Sequence, residues 1–280
     1  MKRLIFSLFF LSTLAQADFV PEVISYQNSD QATLDSAAHL VNDRYASGYS
    51  KFFLGGYANI TSSNDIKTYL NQHHDAHLAV LRDSTNDGEV IASVLIRLNE
   101  NRPEEVMLHR FAASDSPRYK GQGIGKRILD FAEVWSIARN PNARDVKLEA
   151  FKQADTLVNY YKKIGYREVI APDGRIEERV VSQEDQERAT PEFYPQRASL
   201  AYLKLEKTRP QILGEFCEKM SRALAEKMQM SGLPPVAGCE RTFPNSLEPL
   251  ASSIHALMKL LNRSTPALPA DEPDYETLCR

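Results

Sequence analysis

The sequence predicts a mixed α/β domain on a mostly antiparallel central sheet with one parallel pair of strands, followed by C-terminal helices. Three observations carry that expectation. Strand-like and helix-like runs alternate from Phe19 to about Lys207. Two strand-like runs, "AHLAVLRD" and "EVIASVLIRLN", are joined through Asn86-Asp87-Gly88, a strong hairpin signal. Strand, helix, strand, helix over Val106 to Tyr166 requires a crossover, and a crossover gives a parallel pair inside an otherwise antiparallel sheet.

Taken in order, "EVISY" reads as a short strand and "ATLDSAAHLVNDRY" as a helix with Leu34, Ala37, Ala38, Val41 and Tyr45 along one face. "NDIKTYLNQHH" is a second helix. After the hairpin, Asn101-Arg102-Pro103 turns the chain into "EVMLHRFAA", a third antiparallel strand. Ile124, Ile128, Phe131 or Ala132, and Trp135 then recur at helical spacing until Asn140-Pro141 stops the run. "DVKLEAF" is a strand, "ADTLVNYYKKIGY" a helix closed by Gly165, and "YREVI" and "SLAYLKLEK" the last strands. Between those two strands Ala171 to Ala198, with seven acids and four arginines, reads as a long loop or short excursion.

The two ends differ from the middle. Lys2 and Arg3, an apolar run from Leu4 to Leu14, and Ala15-Gln16-Ala17 before Asp18 form the pattern of a cleaved secretory signal peptide over 1–17. The apolar run falls short of the roughly 20 residues that span a bilayer, so the expectation is export, periplasmic or secreted, with no stable membrane span after cleavage. The domain proper is expected over 18–208, a helical extension over 209–264, and a disordered tail over 265–280. Pro210 opens "PQILGEFCEKMSRALAEKM", and "SLEPLASSIHALMKLLNRS" follows; their apolar stripes suit packing on the domain, a dimer or a partner. Cys217, Cys239 and Cys279 all fall in this part. In an exported chain an odd count suits one disulfide, with Cys217 and Cys239 the preferred pair, although three unpaired thiols fit the spacing too.

Composition bounds the function. At 280 residues, 42% of them hydrophobic and 25% charged, the chain can bury a sizeable core. The formal charge is −3, and −5 once Lys2 and Arg3 are removed, which argues against a nucleic-acid partner. No Cys/His ligand spacing points to zinc. "HHDAH" sets His73 and His77 four apart, on one face if the helix reaches that far, but the zincin glutamate is replaced by His74, so no metal is expected.

The most informative stretch is Lys120-Gly121-Gln122-Gly123-Ile124-Gly125-Lys126, between a strand and a helix. A P-loop fails because Arg127 follows Lys126 and Lys120 stands five before Gly125. A dinucleotide fingerprint fails in either register. What remains is a turn whose bare glycines let main-chain N–H groups of a first helical turn approach an anion.

Together with "LEAFKQADTLVNYYKKIGY", Leu148 to Tyr166, this arrangement resembles the GNAT superfamily of N-acetyltransferases, over roughly Glu22 to Lys207. The resemblance implies an acyl-CoA N-acyltransferase-like fold, acetyl-CoA as co-substrate and its pyrophosphate over the amides of Lys120, Gly121, Gln122, Gly123, Ile124, Gly125 and Lys126. It implies a pantetheine arm entering a gap beside Phe111, Ala112 and Ala113. It places Glu149 on the strand glutamate that some members use as general base, and Tyr161 on the helix tyrosine that protonates the departing thiolate. Departures are Lys120 for the usual Gln or Arg, which Arg118 would satisfy two residues earlier, Ala154 for the common Asn, and Leu157 for the small Ala.

The implied activity is acetyl transfer from acetyl-CoA to an amine on a small molecule or protein, acting after export; the alternative is an inactive GNAT-fold binding module in the envelope or secreted. Bland readings accompany each residue: Glu149 paired with a lysine, Tyr161 as a core aromatic, Lys120 and Lys126 as solvated side chains. Tyr160 and Tyr161 lie about 100° apart on a helix, so one of them faces the cleft, and the spacing selects Tyr161. The acids of Ala171 to Ala198 would favour a cationic acceptor if that segment borders the acceptor site. Export and a cytosolic co-substrate stand in tension, and an effector acting inside another cell would reconcile them.

Overall fold

The computed structural model describes residues 19–54, 59–99, 102–140 and 142–230, the last with side chains missing from the description at 217, 220, 221 and 223–230. The expected leader over 1–17, the second C-terminal helix, the tail over 265–280 and the pairing of Cys217 with Cys239 lie outside the described residues. Contacts divide the chain into Asp18–Ile212 and a second unit that takes in Leu213–Arg280.

Asp18–Ile212 is organised by one sheet. In chain order its elements are β1 (Phe19–Ile24), α1 (Gln31–Tyr49), α2 (Ser63–Gln72), β2 (Ala76–Asp83), β3 (Glu89–Arg97), β4 (Glu105–Ala113), α3 (Ile124–Arg139), β5 (Asp145–Phe151), α4 (Asp155–Lys163), β6 (Arg167–Glu168), β7 (Glu178–Val180), α5 (Gln183–Glu187) and β8 (Ala201–Thr208); α6 starts at Arg209 and is assigned to Met230. The strands lie in the order β1-β2-β3-β4-β5-β8-β6, with β7 also on β8. Every pairing is antiparallel except β4 with β5, as the crossover through α3 demands. This is the expected mixed sheet with a single parallel pair.

Local chemistry sets the elements. Asp30 caps α1 by accepting from Thr33 N at 2.9 Å, and Ser62 and Asp65 form a reciprocal capping box at α2. The apolar stripes of both helices, Leu34, Ala37, Ala38, Ile66 and Leu70, close over Leu78, Val80 and Leu95 of the sheet. Each of the leucines, isoleucine and valine contributes about 1.5–3 kcal/mol when fully buried, and the alanines less. The β2–β3 turn uses left-handed backbone at Asp87 and Gly88, φ 50° and 72°, as the Asp-Gly sequence allows.

Three expectations change. The second helix ends at Gln72, where the His73 N–H closes on Tyr69 O, and the chain turns at once into β2. His73 and His77 therefore occupy different elements and share no face. "YREVI" forms only the two-residue β6. The segment 171–198 is structured: it contains β7, α5 and a 3-10 turn at Tyr194–Ser199, and it buries Val181, Ala189 and Phe193 against Phe151, Phe52 and Phe53. In the second unit α6 carries an ion pair between Arg222 and Glu218, one turn apart. Among the described residues no helix is long and apolar enough to cross a membrane.

Candidate active site

The site starts from a failure of pairing. Register between β4 and β5 runs from Glu105↔Asp145 to Leu108↔Leu148 and stops. Beyond it β5 pairs with β8 through Phe151, whereas β4 pairs with β3 through Ala113. The β5-facing edge of β4 at Phe111, Ala112 and Ala113 is thus left without a sheet partner. A bulge accompanies the opening: between the pairs Leu95↔His109 and Ser93↔Ala112, β4 has two intervening residues, Arg110 and Phe111, against one, Val94, on β3. Arg110 takes a left-handed φ of 49° there, which only a few per cent of non-glycine residues do.

The glycine turn lies over this opening. Gly121 and Gly123 have φ of 77° and 67°, with no atom within 4 Å of where a Cβ would stand. Gly123 caps α3 without any side-chain acceptor, and the first helical bond is Arg127 N to Gly123 O at 3.0 Å. The N–H groups of Ile124 and Gly125, ahead of that bond, therefore have no acceptor within the helix. Gly125 is closely packed: a Cβ would sit 3.1 Å from Phe111 Cζ and 3.2 Å from the Tyr160 hydroxyl, so those side chains would have to yield by a few tenths of an ångström. Those contacts bring the turn, the free edge of β4 and the aromatic face of α4 together. Lys126 pairs with Asp130 at 2.7 Å, and Lys120 is exposed. Arg118, which the motif would also accept, is drawn away to Asp83 at 2.9 Å. Gln122 braces the turn by donating to Arg118 O at 2.7 Å.

Sequence reasoning passed over Tyr119, which anchors the approach to this turn. It is buried, and its hydroxyl lies 2.8 Å from Glu89 and 3.0 Å from Asp83, the two ends of the β2–β3 hairpin. Burial and these two acceptors push the phenol above its ordinary range. No local pattern gives this contact, because 30 or more residues separate the partners.

Beside the opening a cleft of about 310 Å³ is lined by residues of β3, β4, β5, β7, β8, the first two helices and α4. Tyr161 lines it, and its ring packs on Phe111, Tyr160 and Tyr166 with centroids 6.2, 5.6 and 5.9 Å apart. Among the described residues its hydroxyl bonds to nothing. Burial holds that phenol well above 10, so it carries its proton throughout the physiological range. Glu149 lines the same cleft, but Arg179 of β7 grips both its oxygens: Nη2 donates to Oε2 at 2.6 Å, and Nε to Oε2 and Oε1 at 3.0 and 3.2 Å. His109 is also in the wall. Burial, reinforced by Arg97 and Arg110 against the opposing charge of Glu149, lowers its pKa and keeps the imidazole neutral near pH 7. Of the acid-rich segment 171–198 only Arg179 reaches the cleft wall; Glu177 and Glu178 pair instead with Lys204 and Lys152 at 2.6 and 2.7 Å.

Among the described residues no group of three or more His, Cys, Asp or Glu is placed to hold a metal ion. The open amides at the glycine turn and the unpaired edge of β4 do fit an acyl-CoA, the first for a diphosphate and the second for amide groups of an extended arm.

A sheet that opens at its single parallel pair, beside a helix begun by glycines, defines an acyl-CoA N-acyltransferase-like fold. Residues 45–166 match the model of the acetyltransferase (GNAT) family. An uncharacterized N-acetyltransferase of Bacillus subtilis (strain 168), YesJ, is 32% identical over 68 residues, 24% of this chain; the chain thus spans 36% of the length of that relative. Among solved structures, a spermidine N-acetyltransferase from Vibrio cholerae in complex with CoA and spermine is 13% identical, with 69% of this chain and 98% of that chain covered and a TM-score of 0.45. Escherichia coli ElaA is likewise 13% identical, with 68% and 99% covered and a TM-score of 0.45. The family match takes in the site, from Tyr45 of α1 to Tyr166 after α4.

Proposed function

We propose that the chain is an acetyl-CoA-dependent N-acetyltransferase that acylates an amine after export. The observation that carries the reading is Tyr161, a buried phenol whose hydroxyl has no bond to any described residue, in the lining of the cleft where β4 and β5 part. Acetyl-CoA supplies the thioester. The amides of Gly121 to Lys126 would hold its diphosphate, and the free edge of β4 at Phe111 to Ala113 its extended arm.

The chain's own residues then have three tasks. The first is to keep water and stray charge out, which the aromatic walls do. The second is to take a proton from the acceptor ammonium. His109, neutral and in the wall, is placed for that. Glu149 serves only if Arg179 releases one oxygen, an exposed exchange that costs about 1 kcal/mol or less. The third is to meet the charge that develops on the leaving sulfur. Full proton transfer from a phenol held above 10 to a thiolate of pKa about 8.5 is uphill by more than 2 kcal/mol, so Tyr161 acts chiefly by its hydrogen bond.

Export rests on the N-terminal pattern Lys2-Arg3, Leu4 to Leu14 and Ala15-Gln16-Ala17. Fractionation of cells expressing the full chain, with the mature N-terminus read by mass spectrometry, is expected to give Asp18 as the first residue outside the cytosol.

The activity is tested with the chain from Asp18 onward, by CoA titration and by thiol release against a panel of amines. Tyr161→Phe is expected to slow release at least about tenfold while CoA affinity stays within about twofold. An unchanged rate removes the role of Tyr161. Absence of CoA binding at millimolar concentration would leave the binding-module reading.

A further inference from the structure

We propose that the acceptor is a small amine that also bears a carboxylate on an apolar body, and that Arg110 binds the carboxylate. The inference rests on the reading of the 310 Å³ cleft as the acceptor site, and it follows from the charges that line it. Glu149 is the single carboxylate in the wall, and Arg179 already neutralises it bidentately. Arg110 then remains. Arg44 and Arg97, on elements beside it, pair with Asp115 and Asp75. Arg110 pairs with no carboxylate among the described residues; its one hydrogen bond runs from Nη1 to Thr61 Oγ1 at 2.7 Å. Asp65 lies close enough to feel its charge but forms no ion pair with it, its Oδ2 accepting the bonds of the Ser62 cap.

The guanidinium is held rather than loose. Thr61 is buried, and its backbone is clamped by Asn42 of α1, which donates to Thr61 O at 2.8 Å and accepts from Thr61 N at 3.2 Å. The left-handed backbone of Arg110 is a strained conformation that the surrounding bulge imposes. A planar fork fixed in advance at a cleft wall suits a carboxylate, since little ordering remains to be done on binding. It disfavours a polyamine, which would bring further positive charge to an unpaired cation. Tyr45, Tyr49, Tyr69 and Tyr202 supply flat, largely apolar walls for the remainder of the acceptor.

The test is equilibrium binding to the chain from Asp18 onward, with and without saturating CoA, of three probes that share a ring and an amine: phenylalanine, phenylalaninamide and phenethylamine. Phenylalanine is expected to bind at least about tenfold more tightly than either of the others. Arg110→Asn, chosen because Asn tolerates left-handed backbone, is expected to bring the three within about twofold of one another. Thr61→Val, which frees the guanidinium without removing it, is expected to lose part of the preference and serves should the Arg110 variant fold poorly. Equal affinities, tighter binding of phenethylamine or spermidine, or no binding of any probe overturns the proposal. These readings need no turnover, so a protein that prefers the carboxylate but fails to bind CoA would overturn the acetyltransferase reading and leave this one standing.

Discussion

Two charge pairs in the same domain are built in opposite ways. Glu133 of α3 and Lys207 of β8 are both sealed from solvent, 3.0 Å apart, and Tyr166 donates to the other carboxylate oxygen at 2.9 Å. Glu149 and Arg179 meet at the open cleft, where Arg179 is half exposed. The buried triad links helix, strand and the residue after Gly165, and with every partner in place it fixes the register of elements around the parallel pair. The exposed pair can open at small cost, which is what a site that must admit an acceptor requires. Charge is sealed into the packing in the first place and left open to the cleft in the second.

Removing one partner from each pair gives the largest contrast. Lys207→Met leaves Glu133 without its cation in a dry site and is expected to cost about 3 kcal/mol in denaturant unfolding, whereas Arg179→Ala costs less than about 1 kcal/mol. The contrast also depends on pH. Burial pushes Glu133 up to about 7 against the pull of Lys207. That position already includes the pull of Lys207, so without it the folded carboxyl rises further, and the Lys207→Met penalty is expected to be steady below about 7 and to grow as pH rises above it. A flat penalty would mean that Glu133 does not titrate there.

A smaller effect is expected at the turn. Gly123→Ala places a Cβ on left-handed backbone and should cost about 1–2 kcal/mol, while weakening CoA by displacing the first-turn amides. Comparable stability with unchanged CoA affinity would strip the turn of its assigned part.

The smallest lies at His77, whose ring stands edge-on to Trp135 at 4.7 Å with Nδ1 buried and unpartnered. Burial, with Arg139 adding to it, lowers its pKa from 6.5 to about 4. The unfolded chain then binds the proton first, so the contribution is complete above about 6.5 and is lost as pH falls toward 4. His77→Phe is expected to flatten that part of the acid decline in melting temperature relative to the parent.

The same contrast shows what the sequence made legible. Alternation and the Asp-Gly turn were enough for the sheet order around the hairpin, and the crossover was enough for the parallel pair, because periodicity and chain connectivity are local facts. The glycine turn and Tyr161 stand at positions that a motif marks in the sequence. The bulge at Arg110, the grip of Arg179 on Glu149, the anchor of Tyr119 and the Glu133–Lys207–Tyr166 triad were not, since each joins residues 30 or more apart in sequence, or depends on one extra residue in a strand. The segment 171–198 reads as a long loop or short excursion because its few buried residues, Val181, Ala189 and Phe193, are too sparse for a period to show.

The most direct measurement is a two-dimensional amide NMR titration of the chain from Asp18 onward with CoA. The amides of Gly121 to Lys126 and of Phe111 to Ala113 are expected to move first and furthest, saturating together, with Tyr161 and its neighbours following. Shifts confined to other parts of the molecule, or none at millimolar CoA, would contradict the placement of an acyl-CoA at the opened parallel pair.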